Sequence, residues 1–292
     1  MFSVNCKFLF QGKKLWSVLD RPHVFRYNKK NKRETLMLTP PEIAHSLLAA
    51  GEKKARLPLK KMFLLAALAG AYIALAGVGA TAAAVTVEND SLAKLLSACV
   101  FPAGLSMVIL AGSELFTGNC LMVMALLERY ITPAQLLRNW GMVYLGNAVG
   151  GVLTAALAVY NHTASLFSGA LARSMLSIAE SKAALGVGDA FLRGILCNFL
   201  VCLAVWMAAA SKRAEGKIVA LFFPILLFVL CGYEHCIANL YYLPAGVFAA
   251  AEYGLASRLT LAGCLRNLAA VTLGNLAGGA ALGVLYHRIY LR

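Results

Sequence analysis

A chain of 292 residues with 60% hydrophobic and only 14% charged side chains is too apolar for a soluble domain, in which about a quarter of residues are charged. This composition predicts an all-α polytopic membrane protein. The formal charge of +14 does not indicate a nucleic-acid partner, because 14 Lys and Arg residues precede residue 62, and basic residues before a first span are typical of a cytoplasmic flank.

Two segments precede the first apolar span. Residues 1–38 form a basic N-terminal extension that lacks the apolar stretch of a secretory signal peptide. Residues 39–61 are predicted to contain a cytoplasmic amphipathic helix, because Thr39 is a suitable N-cap and prolines follow it. Its apolar side is formed by Ile43, Leu47 and Leu48, and we expect it to lie along the inner membrane surface.

Six apolar stretches of about twenty residues or more follow, which is the length that crosses a bilayer. They lie at 62–86, 98–127, 139–160, 190–210, 218–252 and 267–286. We therefore expect a six-span domain at 62–286 and a cytoplasmic tail at 287–292. The distribution of Lys and Arg in the connections predicts that both termini are cytoplasmic, in the cell (inner or plasma) membrane.

The second and fifth stretches contain related sequences, GSELFTGN at 112–119 and GYEHCIAN at 232–239. Gly, Glu and Asn recur at one spacing, which pairs Glu114 with Glu234 and Asn119 with Asn239. The third and sixth stretches share RN and LGN-x-x-GG, whose small residues favour close helix packing. Because each half has three spans, the halves are predicted to form a 3+3 inverted repeat, with the second and fifth helices broken.

Polar residues near these breaks are candidates for function. In LFTGN, Gly118 with its polar neighbours predicts a break that turns the Thr117 hydroxyl into a pore, although a kinked, packed helix is the alternative. His235 is an ionisable group at membrane depth, and Asn198 is its expected hydrogen-bond partner. The symmetric Glu114 and Glu234 favour one structural role performed twice, such as bonding the broken backbone, over acid/base or metal chemistry.

Five motifs in order resemble the formate/nitrite transporter family over about residues 40–286. They are GSELFTGN, GILCNFLVCLAVWMA at 194–208, GYEHCIAN and the two LGN-x-x-GG stretches. Members of that family are homopentamers of aquaporin-like protomers, and each protomer has its own pore for small monovalent anions. The resemblance therefore implies a pentameric pore protein in a lipid membrane.

The resemblance also assigns roles to individual residues. Thr117 and His235 match the family's pore threonine and central histidine, and Lys182 matches a lysine near the outer mouth. Apolar constriction residues are matched by Leu115, Phe116 and Phe228. The aromatic residue that some formate channels carry on the first span has no match, since Gly77 lies near its place. Residues 1–36 match nothing in the family, so we expect a natural start at Met37.

These observations predict a channel or transporter for small monovalent anions. Formate is the expected substrate, and nitrite or hydrosulfide is the alternative. His235 is expected either to donate a proton to the anion or to polarise it through Thr117, so both a channel and a proton-coupled carrier are compatible with the sequence. No cofactor, resident metal or nucleic acid is expected. A hypothesis from another class is an intramembrane metal-dependent enzyme that uses Glu114, Glu234 and His235, and a third is a structural membrane protein.

Overall fold

The computed structural model describes residues 37–292, so the expectation for the extension before Met37 lies outside the described residues. Within this range the chain is all-helical. The eleven α-helices are α1 Pro40–Ala55, α2 Leu59–Ala84, α3 Asp90–Val100, α4 Pro102–Ala111, α5 Val123–Leu127, α6 Pro133–Tyr160, α7 Ala170–Ala184, α8 Val187–Ala210, α9 Ala214–Leu230, α10 Cys236–Glu252 and α11 Leu261–Tyr290.

Five helical stretches in the described range are long and apolar enough to cross a membrane. They are α2, the combined Asp90–Ala111, α6, α8 and α11. The predicted crossing at 218–252 instead contains α9 and α10 of 17 residues each, and both are shorter than the roughly twenty residues of a single crossing.

Two interruptions separate the helices of the second and fifth stretches. Residues 112–117 lie between α4 and a 3₁₀ helix at Gly118–Met122, and residues 231–235 lie between α9 and α10. Gly118 therefore begins a helix, and the interruption that was expected around it starts six residues earlier. Gly112 and Gly232 have φ of 79° and 69°, the left-handed region in which glycine carries no steric penalty. These two glycines are the turning points of the interruptions.

Replacing Gly112 or Gly232 by alanine should destabilise the protein by about 1–2 kcal/mol each, because an L-residue is strained at this φ. Gly141→Ala is the matched control, since Gly141 lies in regular helix α6 with no atom within 4 Å of a built Cβ. The control should be neutral or stabilising by up to roughly 1 kcal/mol. Melting temperatures of the detergent-purified protein compare them, and equal effects at all three positions would contradict the argument.

The long helices cross in two similar pairs that bring backbones together. A Cβ at Gly150 of α6 would lie 1.9 Å from the Ala67 carbonyl oxygen of α2, and one at Gly278 of α11 would lie 2.1 Å from the Ile195 oxygen of α8. The close packing predicted for the two small-residue repeats is confirmed.

Helices α1 and α7 lie at opposite ends of this bundle. Ile43 and Leu48 of α1 are buried against Leu136, near the start of α6, and Trp206, near the end of α8. Helix α7 instead packs against Val159, near the end of α6. The apolar side of α1 is thus covered by protein, which leaves little of it for the membrane surface.

Candidate functional site

Thr117 and His235 meet in the protein interior, one from each interruption. Thr117 Oγ1 and His235 Nε2 are 2.9 Å apart, and the two residues are 0% and 3% exposed. His235 Nδ1 accepts a hydrogen bond from the Ala238 N–H at the start of α10. Since an accepting nitrogen carries no proton, the ring is neutral in this arrangement and its Nε2–H donates to Thr117. The Thr117 hydroxyl hydrogen is then free to donate elsewhere.

The expected hydrogen bond from Asn198 to His235 is wrong. The Asn198 amide donates to the Asn275 carbonyl oxygen at 2.7 Å, and its side-chain oxygen is 3.8 Å from the Cys202 thiol. Both ring nitrogens of His235 already have partners, because one caps α10 and the other contacts Thr117. Asn198 therefore joins α8 to α11 and makes no hydrogen bond to the Thr117–His235 pair.

Apolar side chains flank the pair. The Phe228 ring lies 5.8 Å from the His235 ring and meets Phe101 edge-on at 5.6 Å. Leu115 lines a cavity that opens at the α1 end of the bundle. The Phe116 ring packs edge-on against Tyr144 at 5.1 Å. All three predicted constriction residues are buried in one hydrophobic cluster.

A buried polar cluster supports the first interruption. Lys54 Nζ, at the end of α1, donates to Glu114 Oε1 and to Asn119 Oδ1, both at 2.9 Å. Asn119 Nδ2 donates to Glu114 Oε2 at 2.8 Å and to Asn139 Oδ1 at 2.9 Å. The Glu114 side chain is only 7% exposed, so its charge is compensated inside the protein.

A second cluster of the same composition supports the other interruption. Lys182 Nζ of α7 lies 2.9 and 3.1 Å from the two carboxylate oxygens of Glu234. Asn239 Nδ2 donates to Glu234 and to Asn267, as in the first cluster. The clusters differ in the contacts of the lysine. Lys54 donates to one carboxylate oxygen and to Asn119 Oδ1, whereas Lys182 donates to both carboxylate oxygens and Asn239 Oδ1 is buried without a hydrogen-bond partner. Lys182, expected near the outer mouth, is thus ion-paired with Glu234.

Two asparagines bond the interrupted backbone. Asn147 Oδ1 accepts from the Phe116 N–H, and its Nδ2 donates to the Glu114 carbonyl oxygen at 2.9 Å. Asn275 makes the matching bonds: its Oδ1 accepts from the Cys236 N–H, and its Nδ2 donates to the backbone carbonyl oxygen of Glu234. The expectation that the two glutamate side chains bond the backbone is therefore wrong, because their oxygens are occupied by lysine and asparagine side chains.

The sequence pattern indicates a role for three further residues that support the interruptions, Asn139, Asn147 and Lys54. Asn139 and Asn147 belong to the quoted RN and LGN repeat, and polar side chains in an apolar repeat need buried partners. Lys54 is one of the basic residues before the first span, and it precedes Lys182 by the same 128 positions that separate the two RN and LGN stretches (182 − 54 = 266 − 138 = 128).

A cavity of about 500 Å³ opens at the α1 end and reaches the first interruption. Four lysines line it: Lys53, Lys54, Lys61 and Lys217. Lys54 is paired with Glu114, whereas no ion pair joins the other three to any residue of the described range. Ser113 and Leu115 also line the cavity. Its electrostatic character is that of an anion-attracting mouth.

Known proteins resemble this chain in sequence and in fold. The sequence pattern of the family described as "Formate/nitrite transporter" matches residues 41–289. A probable formate transporter of Methanothermobacter thermautotrophicus is 38% identical over 275 residues, 87% of this chain and 97% of that protein. Formate channel FocA of Haemophilus influenzae is 35% identical over 272 residues, 87% and 94% of the two chains. A solved "Pentameric formate channel with formate bound" superimposes with a TM-score of 0.71 at 32% identity, covering 80% and 98%.

Proposed function

The chain belongs to the formate/nitrite transporter family, and we propose that it is a channel for small monovalent anions with formate as its substrate. Membership makes it a multi-pass membrane transport protein and not an enzyme, so the intramembrane metalloenzyme hypothesis is set aside. The observation that carries the proposal is the buried Thr117–His235 hydrogen bond, which supplies polar groups at the centre of an apolar region.

We propose the architecture of an inverted repeat with six crossings, in which the stretches 98–127 and 218–252 are broken helices. The matched polar clusters support this, because Lys54 and Lys182, Glu114 and Glu234, and Asn119 and Asn239 make corresponding contacts at opposite ends of the bundle. The solved formate channel that this chain resembles is pentameric, which supports a homopentamer here. The proposed orientation places α1 and both termini in the cytoplasm.

The anion's path begins in the lysine-lined cavity. The charges there raise the local anion concentration, and we assign the first apolar step to Leu115, which lines the cavity and precedes Thr117 by two residues. A bare anion loses hydration beyond Leu115, and this loss is the main barrier. Phe228 flanks the histidine and continues the apolar part of the path.

The Thr117–His235 pair lowers that barrier by hydrogen bonding. With Nε2–H donated to Thr117 Oγ1, the threonine hydroxyl is polarised and donates to a carboxylate oxygen of formate. Passage of formic acid would need a second proton on His235, and a proton on Nδ1 would break the bond to the Ala238 N–H. Protonation of His235 would therefore remove the hydrogen bond that caps α10, so proton coupling would change the start of this helix.

Uptake into proteoliposomes tests the function. Formate, nitrite and hydrosulfide are compared by stopped-flow measurements, with protein-free liposomes as the control for leak. We expect formate uptake well above the leak. Faster uptake of nitrite or hydrosulfide than of formate would transfer the proposal to that anion, and uptake at the leak rate for all three would contradict transport.

Replacing Lys61 and Lys217 by glutamine should reduce formate uptake from the cavity side at low salt, with the loss shrinking as salt rises. Unpaired charges attract ions over a Debye length, which is about 10 Å at 0.1 M and about 3 Å at 1 M. Lys60→Gln is the matched control, because Lys60 is exposed and does not line the cavity. Initial rates at several ionic strengths measure the effect. A loss that is independent of salt would contradict electrostatic attraction.

A further inference from the structure

Helix α2 presents no side chain at Gly77, and two tyrosines of α10 take the space. A Cβ at Gly77 would lie 2.7 Å from Tyr241 Cε1 and 3.5 Å from Tyr242 Cζ. The first distance is shorter than any contact of a real Cβ, so a larger residue at position 77 and these rings exclude each other. The aromatic group at this level of the bundle is thus supplied by α10 instead of α2.

Tyr242 lies on the same face of α10 as the central histidine. The two positions are seven residues apart, and seven residues make nearly two turns of an α-helix with a rise of about 10.5 Å. His235 precedes the first residue of α10, so Tyr242 is displaced from it along the helix toward the α7 end of the bundle. The side chain is partly buried, as expected for a residue beside a path.

The Lys182–Glu234 pair lies against this ring. Lys182 Nζ is 5.3 Å from the centroid of Tyr242, within the range of a cation–π contact. The same nitrogen is held by both oxygens of Glu234, which is the residue before His235. The Tyr241 ring centroid lies 5.0 Å from that of Tyr242, with the two rings tilted by 56°. A ring with a fixed cation and an aromatic neighbour has little freedom to move aside.

We propose that Tyr242 is a specificity-determining residue that narrows the anion path between Lys182 and His235 and limits the size of the carboxylate that passes. The inference rests on the proposed channel function. Formate has a single carbon and passes the ring, whereas carboxylates with a larger substituent, such as lactate, are retarded because the held ring cannot yield. Size selection therefore takes place between the Thr117–His235 pair and α7, and a side chain of α10 performs it.

The test is the ratio of lactate to formate uptake in proteoliposomes. Tyr242→Ala should raise this ratio at least about tenfold, since hydrophobic size discrimination amounts to roughly 10- to 200-fold per methylene. Tyr242→Phe keeps the ring and should leave the ratio near that of the wild type. Tyr241→Phe is the matched control, because it removes a buried hydroxyl that has no hydrogen-bond partner from the adjacent ring.

The outcomes separate this inference from the channel function. Wild-type formate uptake at the leak rate would contradict the channel itself. Normal formate uptake with an unchanged ratio in Tyr242→Ala would overturn only the role of Tyr242. If Tyr242→Ala does not assemble, Tyr242→Leu gives the same comparison with a larger side chain, and an unchanged ratio there overturns the proposal equally.

Discussion

Replacing His235 by leucine should lower formate uptake about 10- to 100-fold at every pH from 5 to 8. The substitution removes the donor to Thr117 Oγ1 and the polar group beside Phe228, so the anion meets an apolar centre with one fewer partner. Loss of one partner in a buried hydrogen bond costs about 1–3 kcal/mol, and each 1.4 kcal/mol or so in a barrier is about tenfold in rate. Stopped-flow uptake measures the change.

His235→Asn is the matched control for this substitution. Asparagine is a good N-cap and accepts from the Ala238 N–H as the histidine ring does, so α10 should start normally. It also retains donors that can reach toward Thr117, and formate uptake should exceed that of the leucine variant. Equal uptake by the two variants, with the oligomer intact in both, would mean that the polar character of position 235 does not contribute to conduction.

Replacing Lys182 by methionine should destabilise the protein by about 3–5 kcal/mol, because a buried carboxylate then loses its cation. The Lys182 and Glu234 side chains are 15% and 8% exposed, so water compensates for little of this loss. Methionine preserves most of the side-chain length and isolates the effect of charge. The midpoint of thermal unfolding in detergent, together with the oligomeric state on a sizing column, measures the effect.

The double variant Lys182→Met with Glu234→Gln decides the cause. Glutamine is neutral and can still accept from Asn239, so the double variant should recover most of the lost stability. If the two changes simply add, the ion pair is not the source of the loss. If Lys182→Met instead reduces anion flux only at low salt and leaves stability unchanged, the charge of Lys182 serves to attract the anion.

The interruptions were predictable and their supporting contacts were not. Gly112 and Gly232 each interrupt an apolar run and are followed two residues later by a glutamate, and continuing an apolar helix through both residues is costly. The lysine partners of Glu114 and Glu234 come from α1 and α7, 60 and 52 positions away in the chain. No local periodicity encodes such contacts, although the 128-position repeat marks both lysines.

The assignment of Asn198 failed for a related reason. Position along α8 indicates that Asn198 lies near the core, but it does not determine which of several buried acceptors its amide meets. The ring of His235 is committed to the start of α10, and that commitment depends on where the helix begins. An error of one residue in the predicted start of α10 is therefore enough to assign the wrong hydrogen-bond partner to the His235 ring.

The cavity with unpaired lysines has a consequence for electrical measurements. Lys53, Lys61 and Lys217 line the cavity at the α1 end, whereas at the other end Lys182 is held by Glu234 and lies near Lys94 and Arg193. Energy wells of unequal depth on the two sides make conductance depend on the sign of the voltage, even when the bathing solutions are identical. A protein built from two related halves is therefore expected to rectify, because its two ends carry different sets of charges.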